Sequence, residues 1–316
     1  MFDEKGNIPV LTVSGSCLAE TWENSLISLN DFGCRVKTQY DKQSDPPSID
    51  ATMIMVVENP LAEPMIHKDF PGGPEDLQEY VMEVVDGIKD HCIRNPNDPN
   101  DTRWEYTYHQ RLFKYDVMLK EKITLSPVVN RDPKEGYFGP EQRDDFVGWN
   151  RPKIFDQIEL VCQNLAKTPF TRRAQAITWK VWEDNDCYDP ACLQSIWCRI
   201  LEDEKGGWVL NTNVRFRSND AYKAAFMNMF AITKLQEKIA KRISELSGKQ
   251  VKLGRYVHEA DSYHIYGSYF NEFEERFLKS LDRRSFEERT LRYEDVKDIM
   301  DEAVPGILKK ASEMRH

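Results

Sequence analysis

The chain has 316 residues, with 43 Lys plus Arg against 53 Asp plus Glu, and a formal net charge of −10. This length suits one large domain or two ordinary ones. An acidic chain is a poor general binder of duplex nucleic acid, because neutralising phosphates requires a basic surface. The longest apolar stretches are much shorter than the roughly 20 residues that span a membrane, and no signal peptide is visible. We therefore expect a soluble cytoplasmic protein that binds neither membrane nor nucleic acid.

The first half of the chain alternates between helix-like, loop-like and strand-like segments. Two segments carry apolar side chains at helical spacing, the first ended by Gly33 and the second begun by Pro74 with acidic residues in its first turn. In chain order we predict a helix over 18–30, a polar loop over 40–50, a buried strand over 51–57, a helix from about Pro74 to His91 and a turn-rich loop over 95–101.

The second half begins with a polar stretch over 116–153, in which scattered Pro, Gly and charged residues predict an insertion or lid. No repeat or linker divides the chain, so we predict a single α+β domain over 1–316. The later elements predicted are an amphipathic helix over 154–167, strands over 174–182, 193–201 and 209–216, a hairpin turn at Gly206-Gly207, a long helix from Ala225 to Leu246 and a charged, mostly helical extension over 271–316.

Seven cysteines in a chain without a secretory signal predict reduced thiols rather than a disulfide scaffold. Most of them should be small core residues, with one a candidate nucleophile. The sequence contains no P-loop, no Gly-rich dinucleotide fingerprint and no HExxH. Cys187, Cys192 and Cys198 lack the spacing of a metal knuckle, so we expect no metal site.

Four short segments carry side chains suited to chemistry. Each also has an ordinary structural explanation: a solvated arginine pair, a packing cysteine, a strand end or a satisfied buried His–Tyr pair. The four segments are the anion-binding fork of Thr171-Arg172-Arg173, the thiol of Cys192 in DPACLQ at 189–194, the guanidinium, hydroxyl and amide of FRSND at 216–220, and His264 with Tyr266 in SYHIY at 262–266.

Together and in this order, with Asn228 between the third and fourth segments, the sequence resembles the thymidylate synthase superfamily and specifically its archaeal-type branch. YTYHQR at 106–111 and FDQI at 155–158 resemble two further segments of that family. The resemblance covers roughly residues 15–270. It implies a three-layer α+β sandwich whose mixed sheet forms a homodimer interface. The implied reaction is one-carbon transfer from 5,10-methylenetetrahydrofolate to C5 of a pyrimidine nucleotide.

The resemblance assigns Cys192 as the nucleophile that attacks C6 of the pyrimidine, which makes C5 reactive. Arg217 is the candidate for lowering the pKa of this thiol. Arg217 and Ser218 would also hold the nucleotide phosphate. Arg172 and Arg173 would reach the same phosphate from the partner subunit, which explains how an acidic protein binds an anion.

The same resemblance assigns the recognition of sugar and base. His264 and Tyr266 match the residues that hydrogen-bond the sugar hydroxyl, and Asp220 is assigned to substrate binding. Asn228 matches the position that reads the base edge. Since an amide both donates and accepts, Asn228 favours dUMP over dCMP.

Three further roles are implied by the family, two of them with alternatives open. A helical Glu should act as general base, and a basic residue in the N-terminal loop should touch phosphate. The candidates are Glu83 or Glu79 for the base, Arg35 or Lys42 for the phosphate contact, and Trp104, Tyr106 and Tyr108 for the folate or base pocket.

Two chemical outcomes share this site. Hydride transfer completes a methyl group, as in thymidylate synthase, whereas attack by water gives the hydroxymethyl group of a dUMP, dCMP or CMP hydroxymethylase. Asn228 favours the first outcome. Leu193, where bacterial and animal enzymes carry His, is typical of archaeal-type members. The 116–153 insertion and the tail beyond the His-x-Tyr segment leave the second outcome open, and a non-catalytic nucleotide- or RNA-binding relative is a third reading.

Overall fold

The computed structural model describes residues 6–95, 98, 100–117, 128–131, 138–141 and 153–314. The strands are β1 Val10–Gly15, β2 Cys34–Val36, β3 Ser48–Val57, β4 Ile66–His67, β5 Tyr115–Val117, β6 Val128–Arg131, β7 Phe138–Glu141, β8 Lys153–Phe155, β9 Gln175–Ile177, β10 Leu193–Glu202, β11 Trp208–Asp220, β12 Val251–Ile265 and β13 Thr290–Leu291. The α-helices are α1 Leu18–Phe32, α2 Pro74–Val81, α3 Tyr108–Phe113, α4 Gln157–Lys167, α5 Val181–Asp184, α6 Ala225–Ser247, α7 Phe270–Glu272, α8 Lys279–Arg283, α9 Phe286–Arg289 and α10 Tyr293–Glu313.

A mixed sheet of seven strands organises the chain, with the order β1-β3-β12-β11-β10-β9 and with β2 also paired to β3. The β1–β3 and β11–β12 pairs are parallel, while β3–β12, β10–β11, β9–β10 and β2–β3 are antiparallel. Strands and helices thus form the mixed α+β architecture that the sequence predicted. Among the described residues, no helix is both long and apolar enough to cross a membrane.

The hydrophobic core lies between this sheet and the helices packed on one of its faces, α1, α4 and α6. Successive side chains of a strand point to opposite faces, so Met53 and Met55 of β3 are buried in the core. The Trp22 indole of α1 donates to the Ala221 carbonyl at 2.9 Å and ties this helix to the end of β11. Side chains on the other face are partly exposed, among them Ile54, Val56, Trp197 and Val257.

The structure confirms the predicted helices at α1, α4 and α6 and the predicted strands at β3, β10 and β11. The helix expected to reach His91 ends earlier. Its last turn, Met82–Asp86, is a π-helical turn, and Gly87 follows with φ 69°. A left-handed residue ends a helix, and glycine adopts this conformation without steric cost.

The strand predicted over 174–182 was wrong in its second half, because only Gln175–Ile177 pairs with β10. The chain then turns into α5. Asp184 causes this turn: its carboxylate accepts the Lys180 backbone N–H at 2.6 Å and the Arg111 guanidinium at 2.9 and 3.1 Å. Most of the predicted insertion over 116–153 lies outside the described residues, and its described parts include the antiparallel pair β6–β7.

The predicted helical extension is present as α7 to α10, and a buried ion pair joins it to the body of the protein. Arg289 binds Glu23 of α1 through two contacts of 2.8 Å, and His67 contacts the same carboxylate at 2.8 Å. The side chains of Arg289 and Glu23 are each 9% exposed. The extension is therefore an integral layer of the fold.

Replacing Arg289 with methionine should destabilise the protein by about 3 kcal/mol, because it leaves a buried carboxylate without its main cation. Chemical denaturation measures this loss. Arg242→Met is the matched control, since Arg242 makes a similar two-contact pair with Glu159 at 2.9 Å but is 43% exposed. Exposed pairs contribute little, so equal losses in the two variants would contradict the assignment.

Candidate active site

The Cys192 thiol is presented by a turn immediately before β10. Arg217, on the neighbouring strand β11, holds this turn in place. Its backbone N–H donates to the Cys192 carbonyl at 2.8 Å, and its guanidinium donates to the carbonyls of Pro190 at 2.5 Å and Ala191 at 3.1 Å. The thiol is partly exposed. A partly exposed sulfur beside a fixed guanidinium has the surroundings of a reactive cysteine.

Burial raises the pKa of the Cys192 thiol, the Arg217 guanidinium opposes this effect, and the Asp189 carboxylate adds to it. Cys187 and Cys198, the two cysteines nearest to Cys192 in the sequence, have different surroundings. Cys198 is fully buried, and burial raises its pKa to about 12. Cys187 is partly exposed, with a pKa raised by burial. Of these three cysteines, Cys192 accepts the Arg217 backbone N–H through its carbonyl, and the Arg217 guanidinium acts to lower its thiol pKa, so it is the best placed of them to act as a nucleophile.

Three tyrosines border the thiol. The Leu193 backbone N–H donates to the Tyr108 hydroxyl at 3.4 Å, and the rings of Tyr106 and Tyr108 lie 5.7 Å apart. Burial raises the pKa of Tyr106, and so does the charge of Cys192. Burial, with Glu83 next, raises the pKa of Tyr80. All three hydroxyls therefore stay protonated at neutral pH and can donate hydrogen bonds.

Asn228, in the first turn of α6, is 6% exposed and held from two sides. The Tyr80 hydroxyl donates to its Oδ1 at 2.5 Å, and its Nδ2 donates to Oδ1 of Asn219 at 3.3 Å. An amide has two N–H donors and two acceptor lone pairs. One donor and one acceptor position remain, which is the pair needed to read one edge of a pyrimidine.

Glu83 lies on the π-helical turn after α2, and such turns occur often at functional sites. Lys89 bridges the two candidate carboxylates, at 2.9 Å from Glu83 and 2.7 Å from Glu79. Burial raises the pKa of Glu83 in spite of Lys89. For Glu79, burial is outweighed by Lys310 and Lys89, so its pKa is lowered. This difference favours Glu83 as the group that exchanges a proton.

Replacing Lys89 with methionine should move the acidic limb of the kcat/KM profile upward by about one pH unit. Loss of a cation at 2.9 Å disfavours the ionised Glu83 and raises its pKa further, so the base form appears only at higher pH. Lys310→Met is the matched control, because Lys310 pairs with Glu79 at 2.8 Å. An unshifted limb in the Lys89 variant, or equal shifts in both, would exclude Glu83 as the titrating base.

His264 and Tyr266 stand at the end of β12, with ring centroids 4.6 Å apart. Burial lowers the pKa of His264 to about 4, so it is neutral at pH 7. Burial raises the pKa of Tyr266 to about 12, with Asp220 contributing next. Asp220 lies opposite His264 in the sheet register, and its carboxylate accepts the backbone N–H groups of Tyr222 and Lys223 at 3.1 and 2.8 Å.

Two of the other predicted site residues, Arg172 and Arg173, lie on a loop, and Ser218 adjoins Arg217. Arg172 and Arg173 are exposed, and neither guanidinium has a hydrogen-bond or ion-pair partner in the described part of the chain. The Trp197 indole donates to the Arg172 carbonyl at 3.1 Å, which places this loop at the partly exposed face of the sheet, opposite α1, α4 and α6. Ser218 is partly exposed beside Arg217, between it and Asn219.

The alternatives for the remaining roles occupy different surroundings. Arg35 lies 4.5 Å from the centre of the Phe270 ring and donates to the Pro47 carbonyl at 3.4 Å. Lys42 is exposed. The Trp104 ring is 38% exposed and lies 5.6 Å from the Lys89 ammonium, on the side of Glu83. In the described ranges, no three His, Cys, Asp or Glu side chains gather into a group that could hold a metal ion.

Three residues that contact the candidate site were missed by sequence reasoning: Tyr80, Lys89 and Asn219. Tyr80 precedes Glu83 by three residues and so lies one helical turn away. Asn219 belongs to the same RSND segment as Ser218 and Asp220, so its position in this motif could have indicated that it contacts the site. Lys89 lies beyond Gly87, where no local pattern shows that it folds back towards the carboxylates.

Comparison with known proteins identifies the family of this chain. The family model for thymidylate synthase matches residues 104–306. A curated relative from Methanopyrus kandleri, named "Putative thymidylate synthase", is 34% identical over 73% of this chain and 84% of its own length. A relative of the same name from Methanocaldococcus jannaschii is 28% identical over 81% of this chain and 91% of its own.

The solved structure of thermostable thymidylate synthase A from Bacillus subtilis is similar in fold, with a TM-score of 0.51 and 14% identity over 82% of this chain and 83% of that one. The family match and the names of these relatives thus identify a one-carbon transferase. The chain belongs to the thymidylate synthase family, as its motifs predicted, and the family match continues past Tyr266 into the C-terminal extension.

Proposed function

We propose that this enzyme transfers a one-carbon unit from 5,10-methylenetetrahydrofolate to C5 of dUMP, with reductive methylation to dTMP as the outcome. The observation that carries the proposal is the partly exposed Cys192, whose carbonyl accepts the Arg217 backbone N–H and whose thiol lies within the electrostatic influence of the Arg217 guanidinium. The Asn228 amide, held by Tyr80 and Asn219, belongs to the same group of side chains. A nucleophile, a cation and a base-reading amide are the minimum set for this reaction.

The chemistry follows from the positions of these groups. The Cys192 thiolate adds to C6 of the pyrimidine, and the electron pair of the C5–C6 double bond moves to C5 and O4. C5 would then bond to the one-carbon unit as the bond from that carbon to the folate nitrogen breaks. Loss of the C5 proton, release of the thiolate and transfer of a hydride from the tetrahydrofolate, which would leave as dihydrofolate, would complete the methyl group. Arg217 favours the thiolate over the thiol. Glu83, with its raised pKa, takes or returns the protons that the later steps require.

Binding of the nucleotide would involve the C-terminal ends of β11 and β12, which lie side by side in the sheet. Arg217 and Ser218 would hold the phosphate, and His264 with Tyr266 would hydrogen-bond the sugar hydroxyl. Because the hydroxyl of Tyr266 remains protonated and the imidazole of His264 neutral, both can act as hydrogen-bond partners of a neutral hydroxyl.

The folate supplies the one-carbon unit when it is bound. Its ring system fits the side of the site where the half-exposed Trp104 ring lies near Lys89 and Glu83, with Tyr106 between this region and the thiol. A flat aromatic surface beside polar groups suits a flat heterocycle. Trp104 and Tyr106 would therefore contact the folate, and Tyr108 would support Tyr106.

We further propose a cytoplasmic homodimer joined through the partly exposed face of the sheet, opposite α1, α4 and α6. The partly exposed apolar residues Ile54, Val56 and Val257 lie on this face. The Arg172 loop lies beside it and has two exposed guanidiniums without partners in the described part of the chain. In a two-fold assembly these arginines would complete the phosphate site of the partner subunit.

One incubation tests the reaction. The protein is mixed with methylenetetrahydrofolate and either dUMP or dCMP, the pyrimidine product is identified by mass, and dihydrofolate is followed by its near-UV absorbance. Methylated dUMP with dihydrofolate supports the proposal. A hydroxymethylated product without dihydrofolate would assign a hydroxymethylase instead. No product from either nucleotide, with no adduct to 5-fluoro-dUMP, would indicate a non-catalytic binding relative.

A further inference from the structure

An asparagine reads uracil or cytosine according to the orientation of its amide. Uracil presents an N3–H donor and an O4 acceptor, whereas cytosine presents an N3 acceptor and an amino donor. Turning the Asn228 amide by 180° exchanges Oδ1 and Nδ2 and so exchanges the base that it fits. The residue type alone therefore does not set the preference, and the groups that hold the amide must do so.

A chain of hydrogen bonds leads from Asn228 into the core. Nδ2 of Asn228 donates to Oδ1 of Asn219 at 3.3 Å, and Nδ2 of Asn219 lies 2.8 Å from Nε2 of His258. Nδ1 of His258 lies 2.7 Å from the Tyr256 hydroxyl. Tyr80 closes the other end by donating to Oδ1 of Asn228. Asn219, Tyr256 and His258 are 3%, 0% and 0% exposed, so water cannot replace these contacts.

The donors and acceptors of this series of hydrogen bonds follow one direction in the structure. Since the Asn219 amide donates to Nε2 of His258, that nitrogen carries no proton. Burial lowers the pKa of His258 to about 3, so the ring is neutral and its one proton is on Nδ1, facing the Tyr256 hydroxyl. The Phe216 ring, stacked on His258 at 4.7 Å, keeps the imidazole in plane.

Turning the Asn228 amide alone would set its Oδ1 against Oδ1 of Asn219, two acceptors without a proton between them. To remove this conflict, Asn219 must also turn and His258 must move its proton to Nε2. The orientation of the Asn228 amide is thus coupled to the position of the proton on His258, two hydrogen bonds away. One unsatisfied buried contact is enough to disfavour the turned amide about tenfold.

We propose that Asn219 and His258 are specificity-determining positioning residues, which hold the Asn228 amide in the orientation that accepts uracil and rejects cytosine. This inference rests on the proposed function, because it assumes that Asn228 reads the base. Neither residue touches the nucleotide in this assignment, and both act through the orientation of Asn228.

The test is the ratio of dUMP to dCMP dissociation constants, measured by calorimetry on the full chain. His258→Phe keeps a ring stacked on Phe216 but removes both nitrogens, and we expect the preference for dUMP to fall at least about tenfold. Asn219→Asp is the matched variant: its carboxylate still accepts from Nδ2 of Asn228, so the preference should remain within about threefold of the wild type. An unchanged ratio in folded His258→Phe protein would overturn the inference.

A second measurement needs no variant. The ¹⁵N shifts of His258 in the unmodified protein should show a protonated Nδ1 and an unprotonated Nε2 at pH 7. A protonated Nε2 would overturn the inference even where His258→Phe fails to fold. The two hypotheses fail in different ways. Wild-type protein that binds neither nucleotide would refute both the proposed function and this inference. Wild-type protein that prefers dUMP but carries the His258 proton on Nε2 would refute this inference alone.

Discussion

Replacing Cys192 with alanine is expected to abolish one-carbon transfer while leaving nucleotide binding measurable. Without the sulfur, no bond forms at C6 and C5 stays a poor nucleophile, so we expect the rate to fall on the order of 10⁴-fold or more. The phosphate, sugar and base contacts proposed for Arg217, His264 and Asn228 do not involve the sulfur. Product formation is measured by mass, and dUMP binding by calorimetry.

Cys187→Ala is the matched control for this loss. Cys187 is also partly exposed and lies five residues upstream, but the charges near its thiol are those of Asp184, Glu105 and Arg94 rather than Arg217. Its removal should leave turnover within about twofold of the wild type, as expected for a surface substitution away from the chemistry. Turnover retained by the Cys192 variant, or lost in the Cys187 variant, would refute the assignment of the nucleophile.

Replacing Asn228 with aspartate should shift the preference from dUMP towards dCMP, by roughly 10²-fold or more in the ratio of kcat/KM values. A carboxylate repels O4 of uracil and accepts from the amino group of cytosine. The Tyr80 hydroxyl can still donate to one carboxylate oxygen, so the side chain keeps its place. The other oxygen faces Asn219, whose amide must then turn to donate.

Asn228→Ala is the control for this shift, because it removes the base contact without adding a charge. It should weaken both nucleotides and leave the dUMP to dCMP ratio between those of the wild type and the aspartate variant. An aspartate variant that keeps the wild-type ratio would show that Asn228 does not read the base. Such a result would refute the specificity role while leaving the nucleophile assignment intact.

The parts of the site that short segments encode were predictable. The thiol, the guanidinium and the base-reading amide each belong to a local motif, since the chemistry demands those residue types near strand or helix ends. The structure brings Cys192 and Arg217 into contact through β10 and β11, as their places at neighbouring strand ends suggested. Their catalytic roles, and the reach of Arg172 and Arg173 across a dimer, remain predictions.

Periodicity predicted the elements that pack in a regular way and failed where a single side chain redirects the backbone. The long helix α6 follows its apolar pattern for its whole length. In contrast, the alternation over 174–182 predicted a strand that the buried Asp184–Arg111 pair converts into a helical turn. A local pattern does not reveal a partner that lies 73 residues away along the chain.

The sequence alone indicated an acidic α+β chain that resembles the thymidylate synthase family and has a candidate cysteine nucleophile. Those features depend on residue type and order. The tertiary structure alone decided which glutamate has the raised pKa, that Arg289 anchors the C-terminal extension, and how the Asn228 amide is oriented. These depend on buried charges and hydrogen bonds between distant segments, whose strength is set by burial and by distances of about 3 Å.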